Sequence, residues 1–231
     1  MTDRAAREQW SAAHGSIDPD SSIWISGWLT IVHRLTAPLA ARHVPPGRVT
    51  AAGLVVSAAV PLLAWCGAGW PLLAVPVVVL AGLLDGIDGA LARADGSASA
   101  WGSVLDDLAD RCSDLLMIAA LALLGAPAWL CVAGGALTLL LESVRASARS
   151  AGLVGIGALT VWERPSRIIV AAFASGLCGI AALLGTSADG WIATGAAGIA
   201  ALLAAVSLVH LTVAVRRQLR ADVVTPGRRA R

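Results

Sequence analysis

The stretch Leu84-Asp85-Gly86-Ile87-Asp88-Gly89-Ala90-Leu91-Ala92-Arg93 closes one long apolar run, and Ala100-Trp101-Gly102-Ser103-Val104-Leu105-Asp106-Asp107-Leu108-Ala109-Asp110 opens the next. Six of the fifteen acids, Asp85, Asp88, Asp106, Asp107, Asp110 and Asp114, sit inside these two otherwise apolar segments. On a helix, Asp85 and Asp88 at i, i+3 share one face, and so do Asp106 and Asp110 at i, i+4, with Gly102 extending the same stripe. Ionisable groups inside a span about twenty residues long are costly, so their presence in such a pattern asks for a reason. The short polar connection from Ala94 to Trp101 predicts that the two segments are antiparallel neighbours and that four carboxylates converge from them.

The rest of the 231 residues frames that pair of segments. Hydrophobic residues make up 57% of the chain and charged ones 14%, with a mean hydropathy of +0.76, a balance that excludes a soluble enzyme, a disordered chain and a disulfide scaffold. All 17 cationic side chains are Arg and the net charge is only +2, which gives no support to nucleic-acid binding. Cys66, Cys112, Cys131 and Cys178 are scattered without a C-x-x-C pair and read as small hydrophobes. The polar first twenty residues lack the apolar core of a secretory signal, so the first span is expected to serve for insertion.

The expected architecture is all-α: a polytopic membrane protein with six transmembrane helices and an N-terminal interfacial amphipathic helix. Residues 1–21 read as a flexible cytoplasmic tail and 22–45 as the interfacial helix. In that helix Ile23, Trp24, Trp28, Ile31, Val32, Leu35 and Leu39 recur at steps of three and four, with Arg34, Arg42 and His43 for lipid headgroups. Residues 46–216 are expected to form the six-span membrane domain, with spans near 49–68, 70–92, 102–124, 127–151, 166–185 and 190–215. A basic cytoplasmic tail follows at 217–231. With both termini cytoplasmic, every Arg falls on or toward that side, and the three opposite loops hold only Asp189. Trp65, Trp70, Trp129 and Trp191 gather at the far ends of the spans, where indole rings favour the headgroup layer.

Four carboxylates at the edge of a low-dielectric bilayer are reasonable only with cations between them. Hard oxygen ligands suit Mg²⁺, Mn²⁺ or Ca²⁺. Gly89 and Ala92 leave room for close approach of a ligand, and Arg93 offers a planar fork for phosphate. Two divalent ions about 4 Å apart can clamp the attacking and leaving oxygens of an in-line phosphoryl displacement, so a diphosphate substrate is expected.

The run Asp85-x2-Asp88-Gly89-x2-Ala92-Arg93-x8-Gly102-x3-Asp106-x3-Asp110 resembles, at all eight fixed positions, the signature of the CDP-alcohol phosphotransferases. The resemblance implies a six-helix membrane enzyme, usually a homodimer, that moves a phosphatidyl group from CDP-diacylglycerol to an alcohol and releases CMP. Asp85, Asp88, Asp106 and Asp110 would hold two Mg²⁺ ions, or Mn²⁺, with Asp110 also the general base. Gly89, Ala92, Arg93 and Gly102 would line the CDP site, with Thr50 of the first span beside them.

A second pattern, Glu142-Ser-Val-Arg145-Ala-Ser147-Ala-Arg149 followed by Glu163-Arg164-Pro165-Ser166-Arg167, resembles the acceptor region of bacterial phosphatidylinositol-phosphate synthases. It implies that Arg145, Arg164 and Arg167 bind the phosphate of a polyol such as inositol phosphate. Ser147 stands where a basic residue is expected, and the Gly-rich loop is altered to Gly155-Ile-Gly157-Ala-Leu-Thr160. Glycerol phosphate, or a lipid hydroxyl as in cardiolipin synthesis, is therefore the alternative acceptor. The rival from another class is a small transporter with the acids as its ion pathway, though their place in the cytoplasmic third of the spans argues against it. Asp107 and Asp114 are left outside the core site, since either can pair with Arg111. For the arginines, the competing explanation is the positive-inside rule with headgroup contact.

Overall fold

The computed structural model describes residues 23–94, 96, 99–153 and 159–224. The tail expected at 1–21, residues 154–158 of the altered loop and the last seven residues lie outside that set. Among the described residues there are seven helices and no strand. They are α1 (Ile23–Ala41), α2 (Pro46–Cys66), α3 (Ala74–Ala94), α4 (Ala100–Leu123), α5 (Ala128–Ser150), α6 (Arg164–Leu183) and α7 (Asp189–Val224), and a 3₁₀ turn, Trp70–Leu73, leads into α3.

The helix starts follow local chemistry. Pro46 occupies the first position of α2, where its missing N–H costs nothing. Ser99 caps α4, its hydroxyl oxygen accepting from the Gly102 amide at 3.0 Å. Pro165 sits in the first turn of α6 behind Glu163. Helix α7 runs on through Arg216, Arg217 and Arg220 to Val224, so the boundary expected at 216 falls inside a helix. Arg, Gln and Leu in that segment are good helix formers and the hydrogen-bonded ladder simply continues.

Five segments are long and apolar enough to cross a membrane: Pro46–Cys66, Trp70–Ala94, Ala128–Ser150, Arg164–Leu183 and Asp189–Arg220. The protein is polytopic. Helix α4 is also long enough at 24 residues, but its load of Asp106, Asp107, Asp110, Arg111 and Asp114 keeps it out of that apolar set. The exposed side chains along the bundle are largely apolar, among them Val55, Val132, Phe173 and Leu202, as lipid-facing surfaces require. Trp65, Trp70, Trp129 and Trp191 are all exposed, the last at 82%. Helix direction alternates, so these four rings mark one end of the bundle while the carboxylates and the arginines of α5 and α6 mark the other.

The packing corrects one expectation. Helices α3 and α4 make at most marginal backbone contact with each other; each packs instead along α2, and α6 packs against both. The short connection keeps them close in sequence without pressing them together, and the space left between them holds their carboxylates. Small residues let the other helices close up. A Cβ on Gly179 of α6 would lie 2.6 Å from the Leu72 backbone nitrogen, so only hydrogen fits where α6 crosses the 3₁₀ turn. The apolar core, built on Val60, Val78, Met117, Leu121, Cys178 and Ala197, lies at the tryptophan end. Helix α1 packs on α3 through Val32, which meets Ile87 and Leu91.

Candidate active site

Asp85 and Asp88 come from the last turns of α3, and Asp106 comes from the second turn of α4. One carboxylate oxygen from each of the three lies within 4.8 Å of the others. Asp88 is buried, and Asp106 Oδ1 is buried without a hydrogen-bond partner. A buried anionic oxygen left without a donor is costly, and three carboxylates in mutual reach repel one another. A divalent cation bound by hard oxygens resolves both problems, so the residues fit Mg²⁺ or Mn²⁺.

Asp110, the fourth expected member, stands one turn further along α4 and is engaged differently. Its Oδ1 is ion-paired with Arg164 Nη1, while Arg164 Nη2 reaches Asp85 Oδ1 at 3.1 Å. Arg164 therefore bridges the two helices from the start of α6. Asp85, Asp88, Asp110 and Arg164 line a small, partly open hollow together with Thr50 and Ser57 of α2. Thr50 stands beside the carboxylates in this hollow, and its hydroxyl donates back to the Pro46 carbonyl at 3.2 Å, a helix-internal bond. Gly89 lies under the Arg93 guanidinium, which an added Cβ would meet at 3.4 Å. Gly102 has a second role in the capped first turn of α4, described above.

The other two arginines expected at the acceptor site, Arg145 and Arg167, are more buried than Arg164. Arg167 is only 4% exposed. Its Nη1 donates to Asp114 Oδ2 at 2.6 Å, and its Nη2 donates to Glu142 Oε1 at 2.6 Å and to the Trp162 carbonyl at 3.0 Å. Arg145 donates both Nη nitrogens to Glu163, at 2.9 and 2.8 Å. Trp162 anchors the loop before α6, its amide donating to Ser207 and its indole N–H to Thr138, each at 2.9 Å. Burial alone raises the pKa of the Glu163 carboxyl, but hydrogen bonds from Arg145 and from the Thr160 hydroxyl and amide outweigh it and hold the pKa below its ordinary value. The Glu163 clasp thus stabilises the fold above the unfolded carboxyl's pKa, and that contribution is lost as pH falls through the lowered one.

Of the twelve residues singled out from the sequence, the structure brings Asp85, Asp88 and Asp106 into one cluster, and Asp110, Arg164 and Thr50 to its edge. Arg145 and Arg167 are engaged in the adjoining ion pairs. In the sequence Glu142 and Glu163 stand only as part of the acceptor pattern and Asp114 only as a pair for Arg111, although an acid at the end of an apolar segment with an arginine three residues on, as in Glu142 and Arg145, is a usable signal. Asp114 does pair with Arg111, at 3.7 Å, as well as with Arg167.

An all-helical membrane bundle with a carboxylate cluster and neighbouring arginines at one end describes a class of enzymes acting on phosphorylated substrates. The sequence narrows it: residues 46–215 match the model of the CDP-alcohol phosphatidyltransferase family, and the chain belongs to that family. It is 34% identical over 102 residues to the archaetidylinositol phosphate synthase of Pyrococcus horikoshii, covering 43% of this chain and 53% of that protein. It is 31% identical over 166 residues to the phosphatidylinositol phosphate synthase of Cutibacterium acnes, covering 68% and 77%. The matched segments span 53% and 59% of the length of two archaeal relatives, that of P. horikoshii and an archaetidylinositol phosphate synthase of Aeropyrum pernix. Among solved structures, the phosphatidylinositol phosphate synthase of Mycobacterium tuberculosis with CDP-DAG bound shares the fold at a TM-score of 0.63 and 23% identity, covering 80% of this chain and 94% of that one. The same enzyme in complex with manganese and citrate gives a TM-score of 0.62, covering 80% and 88%. Family membership leaves the transporter reading without support.

Proposed function

We propose that the protein transfers a phosphatidyl group from CDP-diacylglycerol to the hydroxyl of a phosphorylated polyol such as inositol phosphate, releasing CMP. The observation that carries this is the meeting of Asp85, Asp88 and Asp106 within 4.8 Å, with the Arg164 guanidinium beside them. The relatives named for phosphatidylinositol or archaetidylinositol phosphate synthesis support the acceptor, and the CDP-DAG and manganese complexes of the M. tuberculosis enzyme support the donor and the metal.

In this reading Asp85, Asp88 and Asp106, with Asp110, hold two Mg²⁺ or Mn²⁺ ions. When bound, the ions neutralise the diphosphate and stabilise charge on the attacking and leaving oxygens. Gly89, Ala92, Arg93, Gly102 and Thr50 receive the CDP moiety, where small residues admit the nucleotide and Arg93 offers its fork to phosphate. Asp110 accepts the proton of the acceptor hydroxyl as that oxygen bonds to the lipid-bearing phosphorus and the bond to CMP breaks. Arg164 orients the Asp110 carboxylate and, with Arg145 and Arg167, supplies positive charge for the acceptor's phosphate.

The proposal includes six spans, with α4 as the third, both termini and the site cytoplasmic, and a homodimer. Clustering of the described arginines at the carboxylate end supports that orientation. A second acceptor reading, glycerol phosphate or a lipid hydroxyl, is favoured by Ser147 in place of a basic residue and by the extent to which Arg145 and Arg167 are already ion-paired.

The experiment is a panel. Purified protein with CDP-diacylglycerol is offered inositol phosphate, glycerol phosphate, inositol and phosphatidylglycerol, and CMP and the lipid product are read together. Inositol phosphate is expected to give the highest kcat/KM, and Arg164→Ala to raise its KM by about tenfold or more as a charge-assisted contact is lost. Ser147→Arg is expected to lower that KM. Turnover with phosphatidylglycerol alone overturns the phosphorylated acceptor.

A further inference from the structure

Glu142 of α5 is the meeting point of three arginines from three helices. Arg111 of α4 reaches its Oε2 at 3.0 Å, while Arg167 of α6 at 2.6 Å and Arg145, one turn along α5, at 3.6 Å reach its Oε1. Asp114 of α4 takes the other fork nitrogen of Arg167 and stands 3.7 Å from Arg111 Nε. Neither acid belongs to the three-carboxylate cluster. The Nε atoms of Arg111, Arg145 and Arg167 are buried without a hydrogen-bond partner, so the outer nitrogens, aimed at Glu142, Asp114 and Glu163, set where these guanidinium groups lie. Charges alternate without a break from Asp85 through Arg164, Asp110, Arg111 and Glu142 to Arg145 and Arg167.

Three guanidinium groups this close repel one another, and in a weakly solvated place each separates from its neighbours unless an anion is shared between them. We infer that Glu142 is a positioning residue: it gathers Arg145 and Arg167 at a fixed distance from the α3 and α4 carboxylates, and so shapes the subsite for the acceptor's phosphate. The inference rests on the phosphorylated acceptor proposed above. Glu142 need not touch any substrate to have this effect. It acts through the arginines, and a phosphate entering among them finds their charges already held apart and oriented.

Glu142→Gln tests it, because the amide keeps the shape and removes the charge that three arginines share. With inositol phosphate or glycerol phosphate, whichever the wild type uses, the acceptor KM is expected to rise at least tenfold. The donor KM and the Mn²⁺ affinity of the substrate-free protein, read by electron paramagnetic resonance, should stay within threefold. A residue that only supports the fold lowers the active fraction, which reduces kcat and the melting temperature and leaves both KM values in place. Glu142→Asp, which keeps the charge on a shorter arm, should give an intermediate acceptor KM, and it serves as the test if the amide variant does not fold. An unchanged acceptor KM, or donor and acceptor KM rising together, overturns the inference while leaving the acceptor reading standing. A wild type that uses only unphosphorylated alcohols overturns both.

Discussion

Asp106→Asn is expected to lower CMP release from CDP-diacylglycerol at least about 100-fold, beyond the range that loss of a mere outer partner of a metal ligand produces. The reason is local. Asp106 Oδ1 is buried with no hydrogen-bond partner, and its carboxylate is the only one that α4 brings into mutual reach of Asp85 and Asp88. An amide there offers a neutral oxygen and sets an N–H donor where a cation should bind. The same preparation should show weakened Mn²⁺ binding by electron paramagnetic resonance with an unchanged melting temperature in detergent. Wild-type rates in Asp106→Asn would remove the cluster from the chemistry.

Asp110→Asn is expected to behave differently, with turnover falling about 10²- to 10⁴-fold, the usual cost of losing a general base, and with the donor KM and Mn²⁺ affinity moving far less. Asp110 stands outside the three-carboxylate cluster, paired with Arg164 on one side and 3.6 Å from Arg111 on the other, so its loss leaves the three clustered carboxylates in place. Single-turnover measurements with saturating donor and acceptor separate that step from binding. A variant that loses Mn²⁺ affinity as severely as Asp106→Asn would make Asp110 chiefly a metal ligand.

The carboxylate cluster was legible in the sequence because two physical rules act on the same residues. Acids inside apolar spans are expensive, and the spacings Asp85 to Asp88 and Asp106 to Asp110 put each pair on one helix face. The capped start of α4 was equally local, since Ser99 needs only the Gly102 amide three residues on. The packing of the two acid-bearing helices was not legible. The short connection between them says only that their ends are near. That α2 packs along both depends on contacts far apart in the chain, such as Gly53 of α2, where an added Cβ would lie 3.5 Å from Leu84 of α3.

The arginines show the same limit. Arg145, Arg164 and Arg167 sit where either lipid headgroups or a phosphate would explain them, and composition does not separate the two. Their partners do. Arg167 meets Asp114 53 residues away and Glu142 25 residues away, separations that no helical periodicity encodes. Helix α4 is a case of conflict between levels: by apolarity it falls outside the set of spanning helices, because the site's acids are built into it. Its length and its place in the bundle come from the fold, and its polarity comes from the five charged residues it carries between Asp106 and Asp114.

The central claim, that the carboxylates work through a bound divalent ion, is tested most directly by metal removal. The purified protein is stripped with EDTA, the chelator is removed, and CMP release from CDP-diacylglycerol with inositol phosphate is followed as Mg²⁺ or Mn²⁺ is returned. The account predicts no release from the stripped protein and recovery with either ion, with Mn²⁺ binding lost in step with activity across Asp85→Asn, Asp88→Asn and Asp106→Asn. Undiminished CMP release from fully stripped protein in excess EDTA would contradict it.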